Sequence, residues 1–294
     1  MKTSEELKEL VREKYSQIAE QDKALNQASC CGSGISSGEV YNIMTDDYTG
    51  TQGYSQDADL GLGCGLPTQF AHIREGDTVI DLGSGAGNDC FIARHETGVT
   101  GKVIGIDFTE AMIKKARSNA EKLGYNNVEF RQGDIEDMPV SDAVADVIVS
   151  NCVLNLVPDK QKVIQEIFRV LKPGGHFSIS DIVLSGELPK GLQEAAEMYA
   201  GCVSGAIQKE EYLGFVKQAG FENISLQKEK SIIIPDDILS KYLNPEEIKT
   251  FKSGESGIFS ITVFAERPGT SGEKPRIKLS ELQDSACLPG SGCC

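Results

Sequence analysis

The 294-residue sequence contains no tryptophan, no long apolar run, no cluster of basic residues and three histidines. No stretch approaches the roughly 18 uninterrupted apolar residues that a membrane helix needs. The first residues, MKTSEELKELVREKYSQ, mix charged residues with leucine, so they contain no apolar signal-peptide core. We therefore expect no membrane association and a cytoplasmic location.

The absence of a basic cluster limits the class of partner. The formal net charge is −15, which repels nucleic acid and anionic membrane surfaces. The charge instead favours a small neutral or cationic ligand. We expect neither nucleic acid nor membrane as a partner, and a monomeric protein.

Cysteine is abundant, but it does not occur in C-x-x-C pairs, which disfavours a zinc ribbon or finger. Cytosolic thiols stay reduced, so a structural disulfide framework is also disfavoured. No structural metal is expected. The nine cysteines are Cys30, Cys31, Cys64, Cys90, Cys152, Cys202, Cys287, Cys293 and Cys294. They are spread along the chain, so any shared site must be assembled by the fold.

Apolar β-branched runs alternate with helical patterns from residue 76 onward. The predicted strands are DTVIDLGSG, GKVIGIDF, NVEFRQGD, ADVIVSNCV and HFSISDIVL. The predicted helices are residues 87 to 97, TEAMIKKARSNAEKLG with Gly124 as its C-cap, and DKQKVIQEIFRVLKPGG. This alternation predicts an α/β fold with a doubly wound, mostly parallel sheet that is covered on both faces.

The flanking regions have different patterns. Residues 3 to 19 predict an amphipathic helix with a Thr3–Glu6 capping box, and residues 29 to 70 are too rich in glycine and polar residues for regular structure, which suggests a lid. After residue 186 we expect helices at 190 to 203 and 208 to 219, followed by the strands SLQKEKSIIIP and IFSITVFAERP.

These patterns predict four regions. They are an N-terminal helix and lid segment (1–72), a Rossmann-like domain (73–185), a C-terminal α+β region (186–268) and a cysteine-containing tail (269–294).

A glycine turn follows the first predicted strand. DLGSGAGN places Gly83, Gly85 and Gly87 before a helix, where glycine permits close approach of a ligand to the backbone. Asp107 ends the second strand, where a carboxylate can accept hydrogen bonds from ribose hydroxyls. The pattern leaves open a nicotinamide dinucleotide, S-adenosylmethionine, or a tight turn without a ligand.

Four motifs, VIDLGSGAG, GIDFTEAMI, GDIEDMP and LKPGG, resemble in order and spacing those of class I S-adenosylmethionine-dependent methyltransferases. The resemblance implies S-adenosylmethionine as cofactor, with Asp81 near its amino group, Asp107 on the ribose and Phe108 beside the adenine. Asp134 is expected at the adenine edge, with a helix N-cap as the alternative role. The implied cofactor-binding residues are Asp81, Gly83, Ser84, Gly85, Gly87, Asp107, Phe108, Met112, Asp134, Ile135 and Asn151.

Three cysteines stand at notable positions. Cys152 lies at the carboxyl end of the fourth predicted strand, where ligands bind in open parallel sheets. A buried apolar role is the alternative. Cys64 in LGLGCGLP and Cys202 in YAGCVSGA are flanked by small residues, and we expect these neighbours to leave the thiols reachable.

Nearly all of residues 1 to 266 resembles the arsenite S-adenosylmethionine methyltransferases, through LGLGCG, DLGSGAGNDCF, SNCVLNLVPDK, GCVSGA and SCCGSG. The resemblance implies that Cys64, Cys152 and Cys202 hold trivalent arsenic, and that Cys30 or Cys31 pairs with Cys64 during turnover. It also implies arsenite and methylarsenite as substrates, free or as thiol conjugates, methylarsenite and dimethylarsenite as products, and a role in arsenic detoxification.

The implied chemistry agrees with the composition. Trivalent arsenic is soft and prefers thiolate ligands, and three thiolates leave its lone pair to accept a methyl group. A lone pair carries no proton, so no general base is needed. The three histidines, His72, His95 and His176, all lie away from the expected strand tips, in agreement with this chemistry.

The remaining cysteines separate into two groups. Adjacent cysteines rarely bridge each other, so a transient disulfide from Cys30 or Cys31 to Cys64 is the hypothesis, with thioredoxin or glutathione as reductant. Cys90 is expected to pack in a helix. The tail cysteines either capture metalloid or have no role.

Two other functions remain open at this point. A carbon-methylating enzyme of quinone or lipid biosynthesis shares the glycine turn and LKPGG, but it does not account for the three cysteines. A non-catalytic protein that binds soft metals through thiols does not account for the adenosine-side motifs.

Overall fold

The computed structural model describes residues 3–20, 46–191, 205–234, 236–254 and 256–269. Six cysteines lie outside these ranges, namely Cys30, Cys31, Cys202, Cys287, Cys293 and Cys294. Most of the helix predicted at 190 to 203 and nearly all of the tail also fall outside them.

One sheet organises the described chain. Its strands are β1 (Thr78–Leu82), β2 (Lys102–Asp107), β3 (Val128–Gln132), β4 (Ala145–Asn151), β5 (Leu171–Ser185), β6 (Glu222–Ser231) and β7 (Gly257–Glu266). Their order is β3-β2-β1-β4-β5-β7-β6. Strands β1 to β5 pair in parallel, whereas β7 is antiparallel to β5 and β6 is antiparallel to β7. The predicted mostly parallel α/β sheet is confirmed.

Helices cover both faces of the sheet. They are α1 (Ser4–Glu20), α2 (Asn88–Thr97), α3 (Glu110–Leu123), α4 (Lys160–Val170), α5 (Lys209–Gln218), α6 (Asp236–Leu239) and α7 (Pro245–Ser253). Short 3-10 helices occur at Pro67–Phe70 and Leu154–Leu156. Within the described ranges, no helix has both the length and the apolar character needed to cross a bilayer.

Alternate residues of the central strands enter two separate cores. Ile80 and Ile148 pack in one cluster with residues of α4 and α5, whereas Val79 and Val147 pack in another with residues of α1, α2 and α3. All four side chains are fully buried. Strands that are covered on both faces must be apolar at consecutive positions, which explains the uninterrupted β-branched runs in the sequence.

Helix α4 ends earlier than the sequence predicted. LKPGG was expected to finish the helix, but Leu171 is already extended (φ −64°, ψ 140°) and opens β5. Pro173 disfavours helical geometry at Lys172, and Gly174 adopts a φ of +80°, so a helix cannot continue through this motif. By contrast, α3 ends at Gly124 in the left-handed conformation, as predicted.

The N-terminal helix is anchored to the Rossmann-like part. Its capping box forms as predicted, with Glu6 N donating to Thr3 Oγ1 and Thr3 N donating to Glu6 Oε2. Ile18 is buried in the core shared with α2 and α3, and Lys115 Nζ of α3 donates to the carbonyl of Ala19 (2.8 Å). These contacts hold α1 against α3.

Candidate active site

A cleft opens at the carboxyl ends of β1, β2 and β4. Ten of the eleven predicted cofactor residues line it, namely Asp81, Gly83, Ser84, Gly85, Asp107, Phe108, Met112, Asp134, Ile135 and Asn151. Cys152 lines it as well. Because β1 lies between β2 and β4, the residues that follow these three strands meet at one edge of the sheet.

The glycine turn after β1 brings backbone to the floor of the cleft. Gly83 and Gly85 have φ values of +68° and +50°, which side chains with a Cβ rarely adopt. A Cβ on Gly85 would meet no atom within 4 Å, so this position faces open space, whereas a Cβ on Gly83 would collide with Val153. The Ser84 hydroxyl is buried and has no hydrogen-bond partner among the described residues.

Gly87 is the one predicted cofactor residue that does not line the cleft. It precedes α2 with a φ of +99°, and a Cβ there would lie 2.9 Å from the rings of Phe91 and Phe130. Its conformation and packing against these two rings therefore account for the glycine.

Asp107 at the end of β2 has one backbone donor on each carboxylate oxygen. Gly85 N donates to Oδ2 (3.0 Å) and Thr109 N donates to Oδ1 (2.8 Å). Burial raises the pKa of Asp107, and the two backbone hydrogen bonds oppose this rise. Each oxygen retains acceptor capacity that a pair of ribose hydroxyls could use.

Two further carboxyl groups give the cleft an acidic wall. Asp81 accepts a hydrogen bond from Cys90 Sγ (3.2 Å), and burial together with the charge of Asp89 raises its pKa well above the ordinary value. Burial raises the pKa of Asp89 to about 6, although hydrogen bonds from Tyr48 and Asn151 act to lower it. Buried carboxyl groups favour a cation beside them, because a cation stabilises their ionised form.

Helix α1 covers the side of the cleft that Phe108 and Asp134 line. Lys8 Nζ forms ion pairs with Asp134 Oδ2 (2.6 Å) and with Glu136, and the Arg12 guanidinium lies 5.6 Å from the centre of the Phe108 ring. Asp134 Oδ1 accepts from Glu136 N (2.9 Å) in a turn, so the helix N-cap alternative for Asp134 is wrong.

Sequence reasoning did not identify Lys8, Tyr48 and Asp89, all of which line the cleft. Asp89 could have been found, since it follows the glycine turn in the first turn of a helix that the sequence predicted. Lys8 and Tyr48 are distant in sequence from the strands, and only the tertiary fold brings them to the cleft.

Cys152 is the first residue after β4 and has a left-handed backbone, with a φ of +61°. This conformation is uncommon for a residue with a Cβ and costs on the order of 1–3 kcal/mol. Its amide donates to the carbonyl of Ser180 (2.8 Å), which ties it to β5. The thiol is thus placed at the strand tip by a strained but firmly bonded backbone.

Cys64 and Cys152 belong to one buried apolar cluster, which also contains Ile182 and Ile258. They are 1% and 3% exposed, so the expectation that small neighbours leave the Cys64 thiol reachable is wrong. A Cβ on Gly63 would lie 2.6 Å from Asn151 Nδ2. The glycine is needed because the backbone around Cys64 approaches its neighbours closely.

Beside this cluster lies a buried polar group that sequence reasoning also missed. Asp181 Oδ1 accepts from Asn155 Nδ2 (2.8 Å) and from Ile182 N (2.9 Å). Burial raises the pKa of Asp181 to about 7. Burial also raises the pKa of Tyr212 well above its ordinary value, with contributions from charge on Asp181, Cys64 and Cys152.

No histidine lines the described cleft. His176 hydrogen-bonds the carbonyl of Ala71 (2.6 Å), His95 hydrogen-bonds Gln52, and His72 packs edge-on against Phe264. Each histidine has a structural contact, as predicted. Cys90 is fully buried in α2, which also agrees with its predicted packing role.

The close fit around Cys64 generates a stability prediction. A Cβ on Gly65 would lie 2.5 Å from Ser180 Oγ and 2.7 Å from its Cβ. We expect Gly65→Ala to reduce the free energy of unfolding by about 1–3 kcal/mol, as overpacking does, and to be partly rescued by Ser180→Gly. A double-mutant cycle of thermal or urea unfolding measures this rescue.

Gly214→Ala is the control, because a Cβ at Gly214 in α5 meets no atom within 4 Å and should not lower stability. Additive effects of the Gly65 and Ser180 changes would contradict the contact.

Comparison with known proteins assigns the family. Residues 73–220 match the family model for a methyltransferase domain. The chain is 43% identical to the arsenite methyltransferase of Halobacterium salinarum over 76% of this chain and 59% of that protein. It is 32% identical to the arsenite methyltransferase of Aquipseudomonas alcaligenes over 80% of this chain and 68% of that protein.

A solved structure agrees with these relatives. The arsenic(III) S-adenosylmethionine methyltransferase CrArsM from Chlamydomonas reinhardtii superimposes with a TM-score of 0.59 at 32% identity, over 72% of this chain and 69% of that one. The chain spans about three fifths of the length of its Halobacterium relative. Its fold, its cleft and these similarities show that the chain belongs to the arsenite methyltransferase family of S-adenosylmethionine-dependent methyltransferases.

Proposed function

We propose that the protein transfers methyl groups from S-adenosylmethionine to trivalent arsenic, giving methylarsenite and dimethylarsenite. The observation that carries this proposal is that Cys64 and Cys152 share one buried cluster and that Cys152 lines the cofactor cleft. Arsenic held by these thiolates would therefore adjoin the methyl donor.

The chain's own residues fit the cofactor. The backbone at Gly85 borders open space, where a ligand can approach it closely. The buried Ser84 hydroxyl can hydrogen-bond a ligand, and Asp107 can accept hydrogen bonds from ribose hydroxyls. The acidic wall of Asp81 and Asp89 suits a ligand with a cationic ammonium and sulfonium. The chemistry that S-adenosylmethionine supplies when bound is an electrophilic methyl group, to which arsenic can donate its lone pair.

Cys64, Cys152 and Cys202 are the proposed arsenic ligands. Arsenic replaces three thiol protons, so the bound complex is neutral, which suits a buried apolar site better than an unpaired ion would. Cys202 lies outside the described ranges. Gly205, the first described residue after it, lies against the segment that follows Cys152, since a Cβ on Gly205 would collide with the carbonyl of Asn155.

Arsenic changes oxidation state during the proposed reaction, and we assign the return of two electrons to arsenic to a disulfide between Cys64 and Cys30 or Cys31. Donation of the lone pair to carbon formally oxidises arsenic by two electrons. If the thiolate of Cys30 or Cys31 attacks the sulfur of Cys64, a disulfide forms and the As–S electron pair stays on arsenic, which returns to the trivalent state. Thioredoxin or glutathione then supplies two electrons to reduce the disulfide.

The two alternative functions are not favoured. A carbon-methylating enzyme of quinone or lipid biosynthesis gives no reason for two cysteines in one buried cluster beside the cleft. A non-catalytic thiol protein gives no reason for a glycine turn, Asp107 and an acidic wall in one cleft.

Serine substitutions test the arsenic site. We expect Cys152→Ser and Cys202→Ser to abolish methylation of arsenite and methylarsenite, because each removes a thiolate ligand. Cys64→Ser should impair arsenite more than methylarsenite, because a methylated substrate has only two sites left for thiolates. The measurement is a speciation time course with purified protein, S-adenosylmethionine, each arsenical and thiols.

Cys90→Ser is the matched control for this test. Cys90 of α2 is buried, it does not belong to the Cys64–Cys152 cluster, and a serine there can still donate a hydrogen bond to Asp81 of β1. Full activity of Cys152→Ser would refute the proposed site.

The double variant Cys30→Ser/Cys31→Ser tests the redox step. We expect it to complete about one methyl transfer per protein molecule and then stall, because Cys64 lacks its disulfide partner. Quenched-flow or early time points separate the first turnover from later ones. Unchanged multiple turnover with arsenite would exclude a disulfide from either cysteine.

The acidic wall predicts a pH dependence of cofactor affinity. The pKa of Asp89 is about 6, so this group gains its negative charge as pH rises through 6. We expect the dissociation constant for S-adenosylmethionine, measured by calorimetry, to fall severalfold between pH 5 and pH 7.

In Asp89→Asn this dependence should be weaker, whereas Asp142→Asn, an exposed carboxylate outside the cleft, should retain it. A wild-type dissociation constant that is constant over this range would contradict the assignment of Asp89.

A further inference from the structure

The side chain of Asn151 holds the backbone on both sides of the Cys64 side chain. Its Oδ1 accepts a hydrogen bond from Cys64 N (3.0 Å), and its Nδ2 donates to the carbonyl of Gly65 (2.8 Å). The donor and acceptor on the backbone determine which way the amide points. Asn151 is also the residue before Cys152, so one side chain links the two cysteine-bearing segments.

The second N–H of the Asn151 amide connects it to Asp89 in the wall of the cleft through Tyr48. Asn151 Nδ2 donates to Tyr48 Oη (2.5 Å), and Tyr48 Oη donates to Asp89 Oδ2 (2.8 Å). A tyrosine hydroxyl has one hydrogen, which goes to the carboxylate, so its oxygen is the acceptor for Asn151. The order of donors and acceptors is therefore determined along Asn151, Tyr48 and Asp89, and a longer contact joins Asn151 Nδ2 to Asp89 Oδ2 directly (3.4 Å).

The central residue of this chain of hydrogen bonds is shielded from water, whereas Asn151 and Asp89 are partly exposed at the cleft. Tyr48 is 7% exposed, and the Asn151 side chain contacts Gly63 closely enough that a Cβ there would lie 2.6 Å from Nδ2. Hydrogen bonds in a low-dielectric environment strengthen one another, and one to an ionised carboxylate is stronger than a neutral one. A cation near Asp89 stabilises its ionised form and so strengthens the bond from Tyr48.

We propose that Asn151 is a positioning residue for Cys64, and that the Asn151–Tyr48–Asp89 chain couples occupancy of the cofactor cleft to the placement of the Cys64 thiol. The proposal rests on the proposed function for the role of Cys64 as a substrate ligand. Coupling between two sites is reciprocal, so arsenic at Cys64 also favours cofactor binding.

Alkylation of individual cysteines tests the clamp. Iodoacetamide labelling of the reduced protein, followed by peptide mass spectrometry, gives separate rates for Cys64 and Cys90. We expect Asn151→Ala to raise the rate at Cys64 by roughly tenfold or more, because two backbone hydrogen bonds that hold this residue closed are lost. The rate at Cys90, whose thiol is fully buried in α2 and hydrogen-bonds Asp81, should not change.

An unchanged rate at Cys64 would overturn the clamp. An equal rise at Cys64 and Cys90 would also overturn it, because it would show that the substitution loosens the whole fold.

A second variant tests the coupling without removing the clamp. In the wild type we expect S-adenosylhomocysteine, which has no methyl to transfer, to slow alkylation of Cys64 severalfold. Tyr48→Phe removes the hydroxyl that joins Asp89 to Asn151 and leaves only their long direct contact (3.4 Å), so the ligand should still bind but should protect Cys64 much less. Calorimetry of the same samples verifies binding, and protection equal to wild type would refute the coupling.

Ser260→Ala is the matched control for this variant. Ser260 Oγ donates to the Cys64 carbonyl (2.6 Å) from β7, outside the described cleft. The change should speed alkylation of Cys64 but leave the protective effect of S-adenosylhomocysteine intact. None of these measurements uses arsenic, so a negative result would overturn the clamp or the coupling without contradicting the proposed methylation of arsenic. Absence of methylated arsenic in the speciation time course would instead refute only the proposed function.

Discussion

The parallel pairing of β1 with β4 is the constraint on which the rest of the site depends. In its register Leu82 lies opposite Ser150, so the turns after these two strands lie side by side at the same sheet edge. One turn carries the glycines of the cofactor cleft and the other carries Cys152. Contact between Gly83 and Val153 is so close that a Cβ does not fit between them. The pairing therefore places Cys152 next to the glycine turn of the cofactor cleft.

Burial has opposite consequences for the two kinds of group in this site. The carboxyl groups of Asp81, Asp89 and Asp107 have raised pKa values because burial disfavours their charge, and a cationic ligand would offset that cost. Burial of a thiol costs less free energy than burial of a carboxylate, because cysteine behaves as a small apolar side chain. An acidic cleft beside an apolar thiol cluster therefore matches the charges of the proposed reactants, which are a cationic methyl donor and a neutral arsenic–thiolate complex.

Strain and close packing are concentrated where the chemistry is proposed. Cys152 has a left-handed backbone although it is not glycine, and the backbone at Gly63 and Gly65 tolerates no Cβ. Such features persist only where surrounding hydrogen bonds hold them. Here those bonds come from Asn151 and Ser180, which lie on the two adjacent strands β4 and β5. The sheet thus supplies the rigidity that an irregular segment around Cys64 could not supply alone.

The order of strands and helices, the glycine turn and Asp107 at the end of β2 followed from the sequence alone, because apolar periodicity and glycine punctuation are local signals. The tertiary structure decided what depends on contacts between distant residues. It buried Cys64 rather than leaving it reachable, assigned Gly87 to packing against Phe91 and Phe130, and brought Lys8 and Tyr48 into the cleft. None of these outcomes has a local signature, since each arises when backbone segments far apart in sequence approach within van der Waals or hydrogen-bond distance.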